Sequence, residues 1–157
     1  MPRLNAIIKE AKPKTSLNSI IGRLAALNGF KTVIQVFDPD YIINRNHLAG
    51  AYADAELAFK SGSNISKNVA TEMLLFAAMT KQIDAAIKKA GAKPGKSVIV
   101  FANSRTAYGK IKPFLANAKD FNRKKNGMLS KAKELGIKTK GDLDSSIFRE
   151  MAASRLE

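Results

Sequence analysis

Glu72 opens a run of seven apolar residues, Met73 to Met79, which stops at Thr80-Lys81-Gln82 before Ile83, Ala86, Ile87 and Ala90 resume an apolar face. A run this short falls far below the roughly 20 residues that span a bilayer. The helical spacing that follows needs a protein core to face. Both segments are therefore expected as helices anchored in a folded domain, Met73, Leu74, Phe76 and Ala77 in one and Ile83, Ala86 and Ile87 in the next. Thr80 to Gln82 become a polar corner pinned between them. There Lys81 offers a charge, and Gln82 offers a donor and an acceptor. The alternative is a solvated Lys81 and a Gln82 that caps a local kink.

The rest of the chain supplies the partners for such helices. "LNAIIK" from Leu4, "TVIQVF" and "SVIVF" read as strands, with a turn at Lys12 to Lys14 around Pro13. Ser16 is placed to cap a helix carrying Leu17, Ile20, Ile21 and Leu24 on one face, with a left-handed stop at Asn28-Gly29. A second helix, capped by Asn46, aligns Leu48, Ala51, Tyr52, Ala55, Ala58 and Phe59 before "KSGSN" breaks it. Beyond Phe101, Ser104 starts a helix through Tyr108 and Ile111 that Pro113 must kink or restart, and Phe114, Leu115, Ala118 and Phe121 continue a helical stripe. Met128, Leu129, Ala132 and Leu135 predict another helix closed by Gly136, and a last one runs over about 142–157. These elements predict an α/β fold, with α+β as the alternative: one domain over residues 1–157 with a small mixed β-sheet packed by about six helices. The segment from Asn46 to Gly91 is expected to form a helical layer on that sheet.

Charge narrows the function. Lys and Arg number 27 against 13 Asp and Glu, a net charge of +14, where roughly 2 to 8 suffices for solubility. Such an excess favours polyanionic partners. A lysine-rich proteome or adaptation to heat is the alternative, but heat adaptation raises Glu together with Lys. The cations are concentrated: seven Lys between Lys60 and Lys96 against Glu72 and Asp84, and eleven Lys or Arg between Arg105 and Lys140 against Asp120 and Glu134. For any single lysine, plain solvation is the competing explanation. Tyr52, Phe59 or Tyr108 are candidates for a stacking surface at a rim.

Enzyme signatures are scarce. The chain has no cysteine and one histidine, His47, so histidine clusters and thiol chemistry are excluded. No nucleophile elbow, zincin helix, P-loop or dinucleotide fingerprint is present. Neither a metal nor a cofactor is implied. The N-terminus lacks the features of a signal peptide, and a cytoplasmic location is expected.

The order "HLAGAYADAELAFKSGSNIS", "TEMLLFAAMTKQIDAAIKKAG", "SVIVF" resembles a known family: the small KEOPS subunit that binds the complex's kinase-like ATPase, or PRPK-binding protein family, archaeal type. The residues that carry the likeness are Glu72, Lys81, Gln82, Ile83, Ala86, Ile87 and Gly91; the lysine-rich stretch from Arg105 to Lys140 departs from many relatives. The resemblance implies a non-catalytic subunit that docks on and activates the kinase-like ATPase and captures tRNA through its 3′ CCA end. The larger assembly installs threonylcarbamoyladenosine in tRNA. Candidate RNA contacts are then His47, Lys60, Asn64, Lys67, Lys81 and Gln82, with Lys88 and Lys89 extending the basic track. Helix starts expose free N–H groups that suit phosphate. Leu143, Ile147 and Met151 on the last helix are the candidate partner face, with burial in the core as the alternative.

Overall fold

The computed structural model describes residues 5–29, 31–139 and 141–156. In chain order the elements are β1 (Ile7–Pro13), α1 (Leu17–Leu27), β2 (Ile34–Phe37), α2 (Arg45–Ser61), α3 (Val69–Ala78), α4 (Ile83–Ala90), β3 (Val98–Ala102), α5 (Arg105–Ile111), β4 (Leu115–Asp120), α6 (Lys125–Glu134) and α7 (Leu143–Ala153), with a 3-10 turn at Lys112–Phe114.

Four strands form one sheet in the order β2-β3-β1-β4. β3 lies between β1 and β2, and β1 lies between β3 and β4, so each β-α-β unit is split by an inserted strand. That is the ferredoxin-like arrangement, with α2, α3 and α4 inserted between β2 and β3. The α/β class expected from the sequence holds, and the segment from Asn46 to Gly91 does form a helical layer. Every pairing in the sheet is antiparallel, so the sheet is not mixed. Splitting the crossovers separates the strands that would otherwise have paired in parallel.

Both faces of the sheet are covered, which explains why all five residues of β3 are buried. Alternation sends Val98, Val100 and Ala102 into one core with Ile20 and Leu24 of α1 and Ala107 and Ile111 of α5. Ile99 and Phe101 point the other way, into a larger core with α2, α3 and α7. Burial of each such large side chain contributes about 1.5–3 kcal/mol. α3 is the innermost helix of that layer: Ala70, Glu72 and every residue from Met73 to Ala78 are buried.

Several local expectations are corrected. Leu4 lies outside the described residues, and β1 continues through Pro13, which pairs with Leu115, instead of turning at Lys12 to Lys14. Leu115 to Asp120 is strand β4, not the continuation of a helical stripe. "LANAKD" carries no β-branched residue and buries only Leu115, so its strand state comes from pairing with β1 across a register shift where Asn117 takes φ +56°. Asn44, not Asn46, caps α2, accepting from the N–H of His47. Asn28 is extended at φ −67°; α1 ends there because the Asn28 amide bridges the N–H and C=O of Ile34. The last helix ends at Ala153.

Candidate nucleic-acid interface

The polar corner is where the sequence predicted it. α3 stops at Met79, a non-glycine residue in the left-handed region at φ 56°, whose N–H and that of Thr80 bond back to Phe76 and Leu75. The Thr80 hydroxyl accepts the N–H of Gln82, and α4 begins at Ile83 with no side-chain cap. The first N–H groups of α4 thus lack an intrahelical acceptor, as at any helix start. Lys81 is half-buried and Gln82 exposed.

The anchoring of α4 differs from the expectation. Ala86 and Ala90 are fully buried, whereas Ile83 and Ile87 are 40% and 51% exposed. The small residues let α4 lie close on α3, which leaves the isoleucines on the outer side. With Ile21, Gln35, Thr71 and Leu74 they line a groove of about 250 Å³ beside the corner. Tyr41, half-buried, donates its hydroxyl to the Ala78 carbonyl just before the corner. Sequence reasoning missed Tyr41, which sits in the Asp38-Pro39-Asp40 turn. Of the aromatics it named instead, Tyr52 is buried against Phe101. Phe59 is half-buried on α2, and Tyr108 belongs to α5 on the opposite face of the sheet.

The loop between α2 and α3 is organised by Glu72. Its carboxylate, wholly buried, accepts from the N–H of Ile65, the N–H and hydroxyl of Ser66, and the guanidinium of Arg155 at 2.6 Å. Burial works against ionisation, but the Ser66 donors, Arg155 and the Ile65 N–H outweigh it and hold the carboxyl below its ordinary range. Arg155 also stacks on Phe76, its guanidinium carbon 3.9 Å from the ring centre. Neither Ser66 nor Arg155 was legible as part of this loop. The Asn64 amide donates to the Ser66 carbonyl, while Lys60 and Lys67 are exposed.

His47 is removed from the set of RNA contacts. It is fully buried; its Nδ1 accepts the N–H of Ile43, and its Nε2–H donates to the Ala77 carbonyl at 2.9 Å. Burial pushes its pKa down to about 4, against the opposing pull of the Ala77 carbonyl. His47 is a neutral strut joining the start of α2 to the end of α3.

The remaining candidates fall into separate groups. Lys60, Asn64 and Lys67 lie around the start of α3, whereas Lys81 and Gln82 lie at its end, about 15 Å away along a ten-residue helix. Lys88 and Lys89 are exposed in the last turn of α4, about 10 Å beyond the corner. The expected partner face is also overturned. Ile147 and Met151 are fully buried and Leu143 packs against the same core, because α7 closes on α2 where Gly50 admits the Phe148 ring.

A cleft of about 750 Å³ runs between the starts of α2, α6 and α7. Several of its polar groups serve their own neighbours: Arg45 bonds the Ile8 and Phe121 carbonyls, Arg123 those of Pro39 and Ile42, and Asp144 takes both Asn44 and Asn46. Among the described residues no cluster of three or more His, Asp or Glu is placed to hold a metal ion. No helix among them is long and apolar enough to cross a membrane.

Fold and surface together define a basic α/β domain that presents cations and a shallow groove at the ends of its inserted helices. The profile of one family, kinase binding protein CGI-121, matches residues 14–146, most of the chain, and the protein belongs to that family. No curated protein matches the sequence.

Proposed function

We propose that the protein is the non-catalytic KEOPS subunit that docks on and activates a kinase-like ATPase while holding tRNA by its 3′ CCA end, in the cytoplasm. Membership of a kinase-binding family supports the docking role. The observation that carries the RNA role is the Thr80–Gln82 corner, which sets Lys81, Gln82 and the exposed Ile83 beside a groove, between the buried α3 and the half-exposed α4. In this reading Lys81 meets a phosphate, Gln82 reads an edge of an unpaired base, and Ile83 and Ile87 form the apolar shelf on which that base lies. Only a single-stranded end frees its bases for such contacts. Lys60 and Lys67, at the far end of α3, extend contact to the backbone upstream.

The test compares intact tRNA with tRNA trimmed of its CCA end. A marked loss of affinity on trimming is expected, and Lys81→Glu should weaken binding of intact tRNA with no change in melting temperature. Equal affinity for the two RNAs would leave a general basic nucleic-acid-binding protein instead.

A further inference from the structure

No Asp or Glu occurs between Glu10 and Asp38, nor between Asp84 and Asp120. The first of these acid-free segments supplies α1 and the second supplies α5, and the split topology packs the two helices into one layer on the sheet face opposite α2 and α3. The outer surface of that layer is therefore cationic without an acid on either helix. Lys14, Arg23, Lys31, Arg105, Lys110 and Lys112 are all exposed, and among the described residues none of them forms an ion pair.

Contacts arrange them in two groups. Near one end, the Arg23 guanidinium lies 3.8 Å from the centre of the Phe114 ring, whose backbone carbonyl accepts the N–H of Lys14, with Lys112 two residues before it. In the second group Lys110, in the last turn of α5, donates to the Thr32 hydroxyl beside Lys31, and the Asn103 amide that bonds the Lys31 carbonyl stands two residues before Arg105. At the rim, Asp120 is neutralised by Lys9 at 2.7 Å. Small residues, Gly22, Ala25, Ala26 and Gly109, are among those exposed beside the cations, together with the polar Asn18 and Thr106 and the apolar Ile21.

From this arrangement the structure assigns the α1/α5 face as a second RNA surface, which holds the phosphate backbone of a base-paired stem. Like charges gathered without counter-ions repel one another, and a polyanion relieves that repulsion. Exposed cations on a rigid two-helix layer neutralise phosphates without reading bases. Among the described residues α1 and α5 expose one large apolar side chain, Ile21, which lines the groove with Ile83 and Ile87, whereas an inserting membrane surface needs several between its cations. This face shares the RNA with the proposed function. Its cations lie on α1, α5 and their flanking loops, on the sheet face opposite α2 and α3, although Ile21 of α1 reaches the groove beside the corner. Contact with a stem is indifferent to the CCA end.

The test is the salt dependence of binding, measured with intact tRNA, CCA-trimmed tRNA and a blunt RNA hairpin, for the full chain and for Arg23→Gln/Lys110→Gln/Lys112→Gln. Each phosphate neutralised contributes roughly 0.7–0.9 to the slope of log affinity against log salt. The triple variant should therefore lower the slope by about 2–3 for all three RNAs, with an unchanged melting temperature. Should the triple variant melt lower, Lys110→Gln and Lys112→Gln are measured singly, each expected to lower the slope by about 0.7–0.9. An unchanged slope overturns the assignment even if trimming the CCA end still weakens binding. So does a hairpin that the unaltered protein fails to bind in a salt-dependent way, or a variant that keeps its RNA slope but loses binding to phosphatidylserine vesicles. A lowered slope combined with indifference to trimming supports this face and refutes the CCA reading.

Discussion

Replacing Glu72 by Gln keeps the shape of the side chain and removes its charge. In the native fold the carboxylate takes the Ile65 N–H at 3.1 Å, the Ser66 N–H at 2.8 Å, the Ser66 hydroxyl at 2.7 Å and Arg155 at 2.6 Å. All four are donors, so one oxygen can still accept after the change, while the new NH₂ points a hydrogen at a donor. Arg155, only 16% exposed, loses its counter-ion. Removing one member of a buried pair costs about 3–5 kcal/mol. Hydrogen bonds to a charged group are worth about 1.5–3 kcal/mol each, and the surviving oxygen keeps part of that. The expected loss is about 3 kcal/mol, measured as the shift in urea midpoint at constant m-value. Amide exchange at Ile65 and Ser66 should accelerate more than exchange in β3, because the loop is released before the core. Because the folded pKa lies below the ordinary carboxylate range, this stabilisation is fully present above that range and is lost as pH falls through the depressed value. A destabilisation below about 1 kcal/mol, the worth of a single neutral hydrogen bond, would refute the account of Glu72 as the pin of this loop.

His47→Ala leaves the Ile43 N–H and the Ala77 carbonyl unpaired in the interior and should destabilise the fold by about 3–5 kcal/mol, read by chemical denaturation. NMR titration should find the His47 ring neutral down to about pH 4. Its contribution to stability is complete above the ordinary histidine value of 6.5 and declines as pH falls toward 4. Gly50→Ala drives a methyl group into the Phe148 ring where α7 crosses α2 and should cost about 1–3 kcal/mol of stability; a thermal melt unchanged from the parent would show that α7 can shift to accommodate it.

Much of this architecture is written in local patterns. The spacing of Leu17, Ile20 and Leu24, the cap at Ser16, and the β-branched runs of β2 and β3 each identify their element, because side-chain period and capping chemistry act within a turn or two. The same logic located the corner between Met79 and Ile83, since an apolar run that stops at Thr-Lys-Gln and resumes in a new phase requires a break.

What tertiary structure alone decided is which surfaces meet and which are left outside. Leu115 to Asp120 became a strand because β1 offered an unpaired edge, against its own composition. A helical stripe says that a residue can face a core, not how near its neighbour comes: close packing at Ala86 and Ala90 left Ile83 and Ile87 in solvent, while α7 took Ile147 and Met151 inward. His47 and Glu72 look like surface chemistry in one dimension, yet each is buried, because groups far along the chain (the Ala77 carbonyl and Arg155) complete its hydrogen bonding. Charge follows the same division. Composition determined that the protein would be strongly basic, whereas only the split topology, by laying α1 against α5, gathered two distant acid-free segments into a single cationic face.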